Sequence, residues 1–263
     1  MAILHGQSNF RKLLVVALGL TFTSALAVGL TIWWLHFDAI ADASKDSSNL
    51  AIVLADQTAN SIQAIDLVLT EIKGQEEIRT AQTPNDIDRI LGGEDTHKIL
   101  MERLLRLQQA EFIRLVDGNG RLVNATDEWP TSEADVSGTA HFQHFKNNDD
   151  RGIYINDFQV DPVKRTQVVF FSKRINGTNN AFLGMVVVGV RLTYFQHIYK
   201  SIASVRDEMF VLLHRDGTVI VRYPDQVARA GEKMPTESPW YRLVLQGGGT
   251  YRAPGVFDGE ARL

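Results

Sequence analysis

The sequence predicts an α+β chain: an N-terminal transmembrane helix, a long stalk helix, and two tandem modules built on antiparallel sheets, the second truncated. Three observations predict it. Residues 13–35 carry no charge; apolar residues then recur at helical spacing as far as Gly74; and beyond them a pattern of hairpin, loop and strand returns at an offset of 97 residues. A composition of 44% hydrophobic and 22% charged residues over 263 positions is that of a folded protein rather than a disordered one.

The apolar run is 23 residues long and ends in Trp33 and Trp34. At about 1.5 Å per residue it covers a hydrocarbon core of about 30 Å. Arg11 and Lys12 precede it, and Asp38 and Asp42 follow. This charge bias assigns 1–12 to the cytoplasm, 13–35 to a single membrane crossing, and 38–263 to the far side. A cleaved signal peptide is the competing reading, since Ala25-Leu26-Ala27 has the small residues of a cleavage site. The run, however, is longer than a signal core and continues past that tripeptide. Beyond residue 37 the chain holds 25 basic and 31 acidic residues, a net charge of −6 that lacks the basic face a nucleic acid requires. The absence of cysteine excludes disulfide frameworks, zinc ribbons and cysteine nucleophiles.

The stalk helix is expected over 38–73, with Ala51, Leu54, Ala55, Thr58, Ile62, Ile65, Leu69 and Ile72 as its stripe and Gly74 as its stop. That stripe is wide enough to be shared between the chain's own domain and a second protomer, so a homodimer through the stalk is expected. Thr83-Pro84-Asn85 starts a short helix, Gly92-Gly93 ends it, and another helix runs from Glu94 to about Gln109. Strands follow at Phe112–Val116 and Arg121–Asn124 around the Asp117-Gly118-Asn119-Gly120 turn, then at 152–157, 166–175 and 181–190. A polar and aromatic loop with a short helix occupies 130–151, and Leu192–Ile202 reads as helical.

The pattern then returns. Phe210–Leu213, a turn at Arg215-Asp216-Gly217, and Val219–Val221 make a second hairpin. The offset that pairs Gly120 with Gly217 also pairs Gly152 with Gly249, Tyr154 with Tyr251, Asp161 with Asp258 and Arg165 with Arg262. The expected modules are therefore 74–190 and 191–263, and the second lacks the two strands that follow Arg165 in the first. The chain is accordingly expected to be a fragment.

Several segments together resemble the extracytoplasmic double Cache (PAS-like) sensor domains of bacterial transmembrane receptors. They are Leu54-Ala55-Asp56-Gln57-Thr58-Ala59 with Ile65-Asp66-Leu67-Val68-Leu69, His141-Phe142-Gln143-His144-Phe145 before Gly152-Ile153-Tyr154-Ile155, Phe171-Ser172-Lys173-Arg174-Ile175, 184–190, and Leu213-His214-Arg215-Asp216-Gly217-Thr218. The nearest subgroup is the one fused to diguanylate cyclases and histidine kinases. The resemblance implies a ligand sensor anchored in the bacterial inner membrane with its bulk in the periplasm. It also implies a ligand in the membrane-distal module, and a second span leading to a cytoplasmic output domain. The family's amino-acid-binding subgroup has an aromatic and arginine-rich pattern where this chain has His-Phe-Gln-His-Phe-Lys, which weighs against amino acids.

Candidate ligand-binding residues are His141, His144, Tyr154, Asp157, Arg165 and Ser172, the last from the resemblance. His141 and His144 share a helix face, and each could donate to a small anion or simply pack. No third ligand stands nearby, so no metal site is assigned. Tyr154 offers a ring and a hydroxyl, and Arg165 a planar fork for a carboxylate. In the strand 166–175, Val168, Phe170, Ser172 and Arg174 share one face and Gln167, Val169, Phe171 and Lys173 the other. No nucleophile elbow, phosphate loop or paired carboxylates mark a catalytic site, and no cofactor is implied. The expected function is the ligand-sensing part of a receptor, taking a small solute with anions among the candidates. An anchored binding or scaffold protein without output is the alternative.

Overall fold

The computed structural model describes residues 3–156, 159–161, 166–177, 180–202, 209–224, 231–251, 253–254 and 261–262. They divide into two compact units, 53–245 and a smaller one formed by 1–52 with 246–263.

The predicted span and stalk form one continuous helix, α1 (Ile3–Lys73). The side chains of Leu14, Leu18, Phe22, Leu30, Trp33 and Trp34 are exposed, and this helix is long and apolar enough to cross a membrane. Over its last third the buried positions are Leu54, Thr58, Ser61, Ile65, Val68, Leu69 and Ile72. Spacings of three and four residues keep them on one side of the helix. Ala51 and Ala55, expected in the stripe, are exposed. Gly74 ends the helix by donating to the carbonyl of Thr70 at 3.0 Å.

Three short helices follow: α2 (Glu76–Thr80), α3 (Pro84–Leu91) and α4 (Glu94–Leu105). Thr83 and Asp86 form a reciprocal capping box at the start of α3, with Pro84 in its first turn. The expected helix to Gln109 stops at Leu105. There Arg106 and Leu107 donate to the carbonyls of Arg103 and Leu104, a tightened last turn that delivers the chain into the first strand.

The sheet comprises β1 (Ala110–Asp117), β2 (Leu122–Ala125), β3 (Tyr154–Ile155), β4 (Gln159–Val160), β5 (Gln167–Asn176) and β6 (Phe182–Arg191), with α5 (Ala140–Asn147) between β2 and β3. Its order is β2-β1-β6-β5-β3, antiparallel throughout, and β4 also pairs with β5. The β1–β2 turn is held by Asp117, whose Oδ1 accepts from the backbone N–H groups of Asn119 and Arg121 at 2.9 Å. Gly120 sits at φ 92°, and a Cβ there would lie 2.6 Å from Ser137 Cβ, so the turn requires glycine. The expected strand at 152–157 is shorter: β3 has two residues, and Asn156 adds one more bond by donating to Phe170 O at 2.9 Å.

Both faces of the sheet are covered, which is why β5 and β6 are buried at nearly every position. On one face Ile113, Leu115, Val169, Phe171, Val186, Val188 and Val190 pack with the apolar sides of α1, α3 and α4. Phe112, Val116, Val168, Phe170, Met185 and Val187 form a second core on the other face with Phe142 and Phe145 of α5.

After β6 come α6 (Leu192–Ile202), β7 (Phe210–Leu213), β8 (Val219–Tyr223) and α7 (Pro239–Leu245). The β7–β8 hairpin carries the repeat into three dimensions. Gly217, at φ 84°, stands where Gly120 stands in the first hairpin, and the bridge Thr218↔Lys233 answers Arg121↔Asp135. In the smaller unit, β9 (Ala253–Pro254) pairs antiparallel with β10 (Ala261–Arg262).

Candidate functional site

The register of the sheet sets four side chains in a row on the face beneath α5. Tyr154 of β3 is paired with Ser172 of β5, Ser172 with Val187 of β6, and Val187 with Arg114 of β1. Cross-strand partners project to the same side, so the row follows from backbone pairing alone. Ser172 is at 0% exposure and its hydroxyl has no hydrogen-bond partner among the described residues. An unmet hydroxyl at such a position costs about 1–3 kcal/mol, so an occupant that satisfies it gains by doing so.

One row along, Phe170 is paired with Gly189, and Gly189 lies beneath the ring of Phe112. A Cβ on Gly189 would stand 2.3 Å from Phe112 Cζ, so this glycine makes room for the ring. Phe112 and Phe170 lie 6.2 Å apart, and the Arg114 guanidinium sits 3.8 Å above the Phe112 ring.

The roof is α5. Phe142 and Phe145, three residues apart, turn fully buried rings onto the sheet. Arg174, on the same face of β5 as Ser172, donates from Nε to the carbonyl of Phe145 at 2.9 Å, capping one of the open carbonyls at the C-terminal end of α5. Arg174 also donates to Asn176 Oδ1, and to Asn180 O at 3.1 Å.

His141 enters from the first turn of α5 and is 4% exposed. Its ring lies 5.3 Å from Phe170 at 32°. Asn156 Nδ2 donates to His141 Nδ1 at 3.1 Å, which places the ring proton on Nε2, 3.4 Å from Thr139 Oγ1. Burial pushes the imidazole down to about 4, so it is neutral in the folded protein. His144 stands further out. It stacks on Tyr154 at 4.2 Å and 22°, and its Nε2 is 2.9 Å from Asp150 Oδ2. The bond to His144, and one from the backbone of Gly152, hold the Asp150 carboxyl below its ordinary range.

The charges on this face are held within the protein. Arg114 donates to Asp127 Oδ2 at 2.7 Å and to Asp161 Oδ2 at 2.6 Å, and its Nε reaches Asp127 Oδ1 at 3.3 Å. Burial pushes the guanidinium down, and the two carboxylates more than offset it.

Of the residues singled out from sequence, His141, His144, Tyr154 and Ser172 come together between α5 and the sheet. Asp157 and Arg165 lie outside the described residues. Three polar groups of the site were not anticipated: Arg114, Asn156 and the Asp127–Asp161 pair. Arg114 did leave a signal, a lone cation within Phe112-Ile113-Arg114-Leu115-Val116, because a charge inside an apolar strand needs buried partners. Asp161 left one as well, through its pairing with Asp258 in the repeat. Nothing local marks Asn156.

No family model and no curated protein matches the chain. Solved structures do. The extracellular domain of the histidine kinase rpHK1S-Z16 is 24% identical with a TM-score of 0.66, over 81% of this chain and 83% of that one. The ligand-binding domain of the Pseudomonas aeruginosa PAO1 amino acid chemoreceptor PctC, in complex with GABA, is 12% identical with a TM-score of 0.54, over 81% and 86%. The sensor domain of the V. cholerae histidine kinase DctB is 13% identical with a TM-score of 0.51, over 77% and 74%. The chain therefore has the fold of extracellular sensor domains of histidine kinases and chemoreceptors, the Cache group that its sequence resembles.

Proposed function

We propose that this chain is the ligand-sensing part of a bacterial transmembrane receptor, anchored by the first part of α1, with its small-molecule site between α5 and the sheet of the first module. One observation carries the site: the fully buried hydroxyl of Ser172, unpartnered among the described residues and paired across the sheet with Tyr154, on whose ring His144 of α5 stacks. The fold shared with solved sensor domains supports the receptor reading. The output domain expected from the resemblance is a cytoplasmic diguanylate cyclase or histidine kinase, and the receptor acts as a homodimer through α1.

The site is tested by screening small solutes against the full chain in detergent, scored by melting temperature. His141→Gln and Tyr154→Phe should each weaken the solute found, since losing one hydrogen bond to a charged or strongly polar ligand costs about 1.5–3 kcal/mol, roughly ten- to hundredfold in affinity. Wild-type affinity in both variants removes the assignment. His141→Ala is the poorer probe, because at 4% exposure the truncation also opens a cavity.

A further inference from the structure

Around the C-terminal end of β5, four cations gather from three parts of the chain. Lys173 reaches α1, 2.8 Å from Asp66 Oδ1 and 2.7 Å from Thr70 Oγ1. Lys73 follows Asp66 by seven positions and Thr70 by three, so it lies on the same side of that helix. From the loop after α5, Arg151 Nη2 donates to Asn180 Oδ1 at 2.9 Å, and Arg174 Nη1 donates to Asn180 O at 3.1 Å. One asparagine thus holds both guanidinium groups. The carboxylates nearby do not balance the four. Asp66 meets Lys173, and Asp149 lies 3.7 Å from Arg174 Nη1. Asp150 is turned to His144 and to the backbone of Gly152, and Glu71 to Arg103 of α4. Among the described residues Lys73 has no partner, and Nη2 of Arg174, a residue only 6% exposed, has none either. Burial, then Lys173, Arg151 and Arg174, push the half-buried Lys73 ammonium below its ordinary range, with Asp66 opposing them.

We propose that this cluster is a second site, which binds a small divalent oxyanion of the phosphate or sulfate kind between Lys73, Arg151 and Nη2 of Arg174. Two negative charges match the surplus of the four cations over the two carboxylates that touch them, Asp66 and Asp149. Guanidinium groups donate to oxyanions in a fork, and a lysine adds a point charge that needs no fixed geometry. The site stands whether or not a solute binds under α5. Arg174 nevertheless joins the two places, since its Nε caps the carbonyl of Phe145 at the end of α5.

The experiment is a calorimetric titration of the full chain in zwitterionic lipid nanodiscs with inorganic phosphate and with sulfate, and with chloride at matched ionic strength. At least one of the two divalent anions should bind saturably at millimolar concentration or below, and chloride should not. Lys73→Gln and Arg151→Gln should each weaken that binding about tenfold or more, the loss of one charge-assisted hydrogen bond. Lys98→Gln removes a cation of α4 that pairs with Glu94 outside the cluster, and should leave the binding unchanged. The melting temperature of the unliganded Lys73→Gln variant should hold or rise, since the change takes one charge out of a like-charged group. A fall of several degrees means that the fold already pairs this lysine, and overturns the proposal. So does failure of both divalent anions to bind, or binding that survives Lys73→Gln and Arg151→Gln at full strength. A loss in Lys98→Gln equal to that in Lys73→Gln reduces the effect to general charge attraction and overturns it too.

Discussion

His141 links the site to stability through its protonation. The folded protein holds the ring neutral down to about pH 4, whereas the unfolded chain takes up the proton near 6.5. Between those values the unfolded state binds more protons, so stability rises with pH across the window and is fully present above 6.5. The span corresponds to a loss on the order of 3 kcal/mol on acidification from pH 7 to 4. Urea denaturation at half-unit intervals should show this slope for the wild type, and His141→Gln should flatten it; equal slopes in the two proteins would sink the account. Sequence carried part of this site and not the rest, for a physical reason. Histidines and tyrosines stand out wherever they occur, so His141, His144 and Tyr154 could be named from composition alone. Asn156 and Asp127 take their places only through partners brought from elsewhere in the chain: Asn156 meets His141 across 15 positions, and Asp127 meets Arg114 across 13. No local pattern encodes such pairings.

Among the elements, α1 was the most legible because a period of three and four residues persists from Leu54 to Ile72. At five residues α2 is too short to show a period, and it went unread. In β5 the alternation was readable but its polarity was not, because both faces are covered. The polar residues settle it only in three dimensions: Ser172 faces α5, whereas Lys173 reaches back to α1, 2.8 Å from Asp66 Oδ1 and 2.7 Å from Thr70 Oγ1. The remaining exposed side of α1 bears Val53 at 53% and Leu67 at 56%, fourteen positions apart with Asn60 midway, the spacing of a seam between two helices. If that seam joins two protomers, Leu67→Lys places a charge against its copy across the symmetry axis and should weaken association about tenfold or more. The melting temperature of the monomer should be nearly unchanged, since the side chain is already exposed. Sedimentation velocity over a range of concentrations measures it, and an unaltered monomer–dimer balance would move the interface off α1.

At the scale of the whole molecule, the chain combines a domain with the fold of sensor domains and a helix that has no reason to be stable in water. Leu18, Phe22, Leu30, Ile32, Trp33 and Trp34 are all more than half exposed, an apolar surface too long and continuous for a free-standing segment of a water-soluble protein. A bilayer would account for it, and the flanking charges would then set its direction. Arg11 and Lys12 resist translocation, whereas Asp38 and Asp42 on the other side contribute little to orientation. On the proposed receptor reading, the site under α5 faces the space outside the cytoplasm. Alkaline phosphatase, which folds only after export, should therefore be active when fused after Gly247, and a fluorescent protein that matures only in the cytoplasm should stay dark at the same position. Reversing the flanking charge with Arg11→Glu and Lys12→Glu should lower the phosphatase signal and raise the fluorescence, because the bias that sets the orientation is then removed. Fluorescence from the unaltered chain would put the sensing site on the wrong side of the membrane and end the receptor reading; insensitivity of both reporters to the charge reversal would show that something other than Arg11 and Lys12 sets the direction.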